Sequence, residues 1–113
     1  MESILISIKK LLGIAAEFTE FDADIIMHIN TAMMVLNQLG IGPKEGFSIE
    51  DELATWEDLV PEYTKHQAIK TYIYLKVKLV FDPPLSAAAI TAINEQIKEY
   101  EWRLNVSAET PQS

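Results

Sequence analysis

Apolar residues at the start of the chain recur at three- and four-residue steps. Ile4, Leu5, Ile8, Leu11 and Leu12 form one stripe, and Ser7, Lys9 and Lys10 fall off it. This pattern predicts a short amphipathic helix that ends near Gly13. Thr19-Glu20-Phe21-Asp22 then offers a capping residue and early acids suited to a helix N-terminus. A long helix follows from about Asp22 to Leu39, with Ile25, Ile26, Ile29, Ala32, Met33, Leu36 and Leu39 on a nearly complete stripe. Gly40 and Gly42 with Pro43 stop it, because glycine accepts the left-handed C-terminal conformation and proline cannot continue the hydrogen-bond ladder.

Between Ile41 and Leu53 neither period is sustained, and Phe47 and Ile49 stand isolated among glycines and charges, so the segment reads as a long extended loop. Thr55 to Val60 suits a single helical turn closed by Pro61, with Trp56 turned into the core. The stretch from about Tyr63 to Phe81 is apolar around most of its circumference. Ala68, Tyr72, Leu75 and Leu79 make one line, and Ile69, Ile73, Val77 and Val80 another. A helix of that kind belongs at the centre of a fold. Asp82-Pro83-Pro84 forces a corner, and Ser86 caps a last helix with Ile90, Ile93, Ile97, Tyr100 and Leu104 on its apolar face. Ser107 to Ser113 carries no large apolar side chain and reads as a flexible tail. The expected fold is mainly α: a small bundle of about four helices in one domain, 1–106, with a tail at 107–113. Its expected core includes Ile25, Ile29, Leu36, Trp56, Tyr72, Leu75, Leu79, Ile93 and Ile97.

Composition narrows what such a bundle does. A length of 113 residues fits one core, and a 49 % hydrophobic content is enough to fold it. Nine basic against seventeen acidic side chains give a net charge of -8, which disfavours general phosphate-backbone binding. The same charge suits a wall along which DNA slides without sticking. The absence of cysteine excludes disulfides and thiolate chemistry and leaves the redox compartment open. The opening residues read as part of the folded domain rather than a leader, since Glu2 precedes the apolar run and Lys9-Lys10 interrupt it. No apolar run reaches the roughly 18 to 20 residues of a membrane span.

No constellation of catalytic residues emerges. His28 and His66 lie in different predicted helices, outside any zinc-binding spacing, and read as solvent-facing or structurally hydrogen-bonded. Asp22 and Asp24 have the spacing that opens a calcium loop, but Ile25-Ile26 continue straight into the helical stripe, so stabilisation of the helix N-terminus explains them better. The acids Glu50, Asp51, Glu52, Glu57, Asp58 and Glu62 read as a solvated stretch. Lys65, Lys70, Lys76 and Lys78, interleaved with Tyr72 and Tyr74, read as solvated or salt-bridging rather than nucleic-acid binding. No catalytic, cofactor-binding or metal-binding residue is assigned. The reading is a noncatalytic protein, with a small regulatory module that binds one host protein as the alternative.

The order of parts is more specific than any of these. It runs from Ile-Lys-Lys-Leu-Leu-Gly-Ile at residues 8–14, through a helix ending Leu-Asn-Gln-Leu-Gly-Ile-Gly, to a Trp56-Glu57-Asp58 turn. Then come Tyr72-Ile73-Tyr74-Leu75-Lys76-Val77-Lys78-Leu79-Val80-Phe81-Asp82-Pro83-Pro84 and a Glu101-Trp102-Arg103-Leu104-Asn105-Val106 ending. From about Ile8 to Val106 the chain resembles the small head-tail connector proteins of tailed phages and prophages, also called adaptor or head-completion proteins. That resemblance implies a virion neck protein made in the host bacterial cytoplasm. It implies a dodecameric ring beneath the portal protein that extends the DNA channel and docks the next neck or tail-completion protein. DNA would pass through without sequence-specific binding, with no cofactor and no membrane. By position it marks Phe47, Ile49, Val106, Ala108 and Pro111 as candidate intersubunit or portal contacts. Like-charge repulsion of DNA, rather than the resemblance, makes Glu50, Asp51 and Glu52 the candidate channel-facing acids.

Overall fold

Two of the helices end where glycine allows it, and those two ends set the first half of the molecule. The computed structural model describes residues 2–109. Helix α1 spans Ile4–Leu11, with the Ser3 hydroxyl accepting from the Ile6 amide. It closes at Gly13, φ 81°, where the Gly13 amide donates to Lys10 and the Ile14 amide to Lys9. Helix α2, Asp22–Gln38, closes the same way at Gly40, φ 87°, with Ile41 donating back to Leu36. Both are six-to-one closures that a residue with a Cβ resists. The start of α2 differs from expectation: Phe21 occupies the cap position without a side-chain hydrogen bond, and the Asp22 amide reaches the Thr19 carbonyl instead.

The remaining elements are α3 (Trp56–Leu59), a 3-10 turn (Tyr63–Lys65), α4 (His66–Phe81) and α5 (Ala87–Glu109). Helix α3 is a single turn held by a reciprocal capping box, the Thr55 amide donating to the Asp58 carboxylate and the Asp58 amide to the Thr55 hydroxyl. Helix α4 is the centre of the bundle, packed against α2 on one side and α5 on another, with α1 laid over both α2 and α4. Ile69, Tyr72, Ile73 and Val77 are wholly inaccessible on α4, as are Ile25, Ile29, Ala32 and Leu36 on α2. Trp56 is 1 % exposed, and its indole N–H donates to the Ser7 hydroxyl at 3.1 Å, so α3 plugs the core from the side. Leu75 and Ile97 are buried, and Leu79 and Ile93 are half-buried against the same cluster.

Other residues also depart from the positions expected of them. Ser7 and Lys9, off the apolar stripe, are both buried, because α1 is covered by the chain that follows it as well as by the bundle. Val80, placed on an apolar line of α4, is 61 % exposed, since that line turns out of the bundle at the last helical turn. Ile49, expected as a contact for another chain, is 2 % exposed and packs inside the subunit. The segment 107–109, expected in a flexible tail, continues α5. Leu104 is buried just before it and Ala108 packs on the core, so the helix has tertiary support beyond the sequence pattern. Residues 110–113 of that tail lie outside the described residues.

Candidate functional site

The segment after α2 is not an open excursion. Asn37 donates from Nδ2 to the Pro43 carbonyl at 3.0 Å. Seven residues earlier on the same helix face, Asn30 grips Ile49 twice, donating to its carbonyl at 3.0 Å and accepting from its amide at 2.8 Å. The loop therefore runs back along α2, from its C-terminal end towards its N-terminal end. Ile41 and Ile49 point inward, and Phe47 is half-buried beside Met33 and Met34. An unpaired carboxamide row on a helix is the signal that could have found this arrangement in the sequence.

This path separates the candidate residues into two groups. Phe47 lies along the C-terminal half of α2. Ala108 approaches the C-terminal end of the same helix, where a Cβ built at Gly40 would sit 3.1 Å from the Ala108 Cβ, and the Asn105 carboxamide reaches the Leu39 carbonyl at 3.4 Å. Val106, two residues beyond the buried Leu104 and so on another face of α5, is 40 % exposed. Pro111 lies outside the described residues. Phe47 and Ala108 thus come from distant parts of the chain to the C-terminal half of α2, whereas Ile49 belongs to the core.

Glu50, Asp51 and Glu52 are exposed at the far end of the loop. The Asp51 carboxylate accepts from the Leu53 amide at 2.8 Å and turns the chain. Glu52 shares a shallow cleft with Ile6, Glu17, Thr19 and Asp22, which brings the loop acids beside those that precede α2. The acidic charge gathers at the N-terminal end of α2.

Lys9 organises that end from beneath. Its side chain is inaccessible, and Nζ donates to the carbonyls of Ala16 at 3.0 Å and Phe18 at 2.7 Å while pairing with Asp22 at 2.8 Å. Three oxygens replace the water that a buried ammonium gives up. Asp22 is thereby an internal counterion rather than a cation ligand. Tyr72 is also tied across the bundle, donating to the Glu101 carboxylate at 2.8 Å; burial, and then that carboxylate, hold its phenol protonated far above the ordinary range.

The histidines take structural or peripheral places. The His66 Nε2 lies 2.7 Å from the Val60 carbonyl in a buried position against Tyr63, and His28 is half-buried on α2. Among the described residues no group of three or more His, Asp or Glu side chains converges as a metal site, and no helix is long and apolar enough to cross a membrane. Of the central lysines, Lys65 pairs with Glu62, Lys70 with Glu2 and Lys78 with Asp82. The buried hydrophobic residues form one α-helical core. Comparison with curated proteins and with solved structures gave no match. The family described as phage connector protein matches residues 4–111, nearly the whole chain, and its members are structural components of the phage neck. The protein belongs to the phage connector protein family.

Proposed function

We propose that this protein is a head-tail connector subunit that assembles, by family resemblance, as a dodecameric ring beneath the portal protein. The ring extends the DNA channel and offers a docking surface to the next neck or tail-completion protein. The observation that carries this reading is the family match over residues 4–111 on a chain that folds as one helical core. Phe47, Val106, Ala108 and Pro111 are the subunit or portal contacts in this scheme. Glu50, Asp51 and Glu52 face the channel, where like charge keeps the DNA phosphates from adhering. The role is mechanical, and no residue is assigned to catalysis.

Co-sedimentation of the purified protein with capsids that carry or lack the portal tests the proposal. Binding that requires the portal is the expected result, and equal recovery with both capsids overturns it. Neutralising Glu50, Asp51 and Glu52 together is expected to impair DNA retention or ejection while leaving capsid binding intact. Unchanged retention and ejection remove these acids from the channel.

A further inference from the structure

The loop between α1 and α2 turns aromatic rings outward from an anchored backbone. Phe18 and Phe21 are 44 % and 40 % exposed, with ring centroids 5.7 Å apart. Phe21 meets Phe81, the last residue of α4, edge-on at 5.5 Å. Beyond Phe81, the proline corner carries the fully exposed Leu85. Aromatic side chains that only needed burial would turn inward, as Trp56 and Tyr72 do. Here the backbone beneath them is fixed by Lys9, whose ammonium holds the Phe18 carbonyl itself. A rigid apolar surface loses little conformational freedom when a partner covers it.

The surroundings indicate the partner's chemistry. Glu17, Glu20 and Asp24 are exposed around the loop, and none forms an ion pair among the described residues. The neighbouring cations Lys9 and Lys78 are already paired with Asp22 and Asp82. For this acidic face a second copy of this chain is a poor complement, because the cations without an ion pair among the described residues, Lys10, Lys44 and Lys76, lie far apart in the sequence; ring contacts would use other surfaces.

We propose that Phe18, Phe21 and Phe81, with the acids around them, form a docking site for a segment of a different protein that carries an aliphatic or aromatic anchor flanked by lysine or arginine. The anchor covers the rings, and the flanking cations meet Glu17, Glu20 and Asp24, so apolar burial supplies affinity and charge supplies selection. The inference rests on the connector reading only in requiring that the subunit meet a protein other than itself.

Nuclear magnetic resonance titration of the full chain tests it with two synthetic peptides of one Leu-Phe core, flanked by arginines or by glutamates. Saturable shifts around residues 16–24 and 80–85 are expected with the arginine peptide, with affinity at least about tenfold above that of the glutamate peptide. The double variant Glu17→Gln/Glu20→Gln should weaken arginine-peptide binding by roughly threefold to tenfold. Phe21→Ala should abolish it while leaving the resonances of α4 and α5 residues remote from Phe81 in place, which shows the fold intact. No saturable shift, equal binding of both peptides, or concentration-dependent shifts of the same residues without peptide would each overturn the proposal, the last by showing that a second copy covers the patch. The isolated chain is read here, so failure leaves the portal-dependent co-sedimentation test standing.

Discussion

The two loops that flank α2 are anchored by opposite means and turned in opposite directions. The later one is fastened from the helix by neutral carboxamides, Asn30 and Asn37, and sends Ile41 and Ile49 into the core. The earlier one is fastened from below by a buried charge, Lys9, and sends Phe18 and Phe21 into solvent. Neutral amides suit a loop whose own side chains supply apolar burial, since the hydrogen bonds then need only fix register. A loop that turns its apolar side chains away gains little from burial and needs a stronger anchor, such as charge-assisted hydrogen bonds to two carbonyls. The first device builds the subunit, and the second displays part of it.

Breaking the structure that both loops share should have the largest effect. Trp56 joins the end of the later loop to α1 through Ser7, whose hydroxyl donates onward to the Ser3 carbonyl, and α1 carries Lys9. Trp56→Ala is expected to destabilise the subunit by about 3 to 5 kcal/mol in chemical denaturation, through lost burial and the cavity left behind. A loss below about 1 kcal/mol would contradict its place in the core. Lys9→Met separates the loops: it strands the Ala16 and Phe18 carbonyls and leaves Asp22 unpaired. An expected loss of about 2 to 3 kcal/mol allows for the partial exposure of Asp22. Its amide exchange should accelerate at residues 14–21 and stay slow at 41–49, and uniform acceleration would show that one clamp holds both loops.

The converse substitution is milder. Asn30→Ala removes two hydrogen bonds to Ile49, with an expected cost of about 1 to 2 kcal/mol and exchange that rises at 47–51 before 14–21. The smallest effect belongs to the Glu2 carboxylate, which the hydrogen bond from Lys70 holds below the usual range against the opposing effect of burial. A depressed acid stabilises the fold above its unfolded-state value and loses that contribution as the pH falls through its folded-state value. Glu2→Gln should therefore lower stability at pH 7 by less than about 1 kcal/mol, and the difference from the native chain should fade as the pH drops below about 4. A difference that grows in acid would show the opposite sign of linkage.

The sequence made α2 and α4 legible, because their apolar side chains repeat at the helical period, and it marked Trp56 as a core plug by the turn chemistry around it. Ser7 and Lys9 were illegible for a definite reason. Polar residues off an apolar stripe read as solvated, and the groups that Lys9 binds are backbone carbonyls, which every residue possesses. The inward turn of Ile49 was hidden because a loop has no period; Asn30 and Asn37, seven residues apart, held the one available signal. Helix α5 ran past its apparent end because Ala108 packs close to Gly40, a contact that local composition does not encode. Of the candidate contacts, Phe47 and Ala108 lie near the C-terminal half of α2, and Glu17 shares a cleft with Glu52, which the run 50–52 alone did not reveal.

Electron microscopy of portal-bearing capsids incubated with the purified protein tests whether these subunits form a ring at the head-tail vertex. An annular density at one vertex of each capsid, coaxial with the portal channel, is the expected result. A bare portal vertex, or protein scattered over the capsid shell, would contradict it.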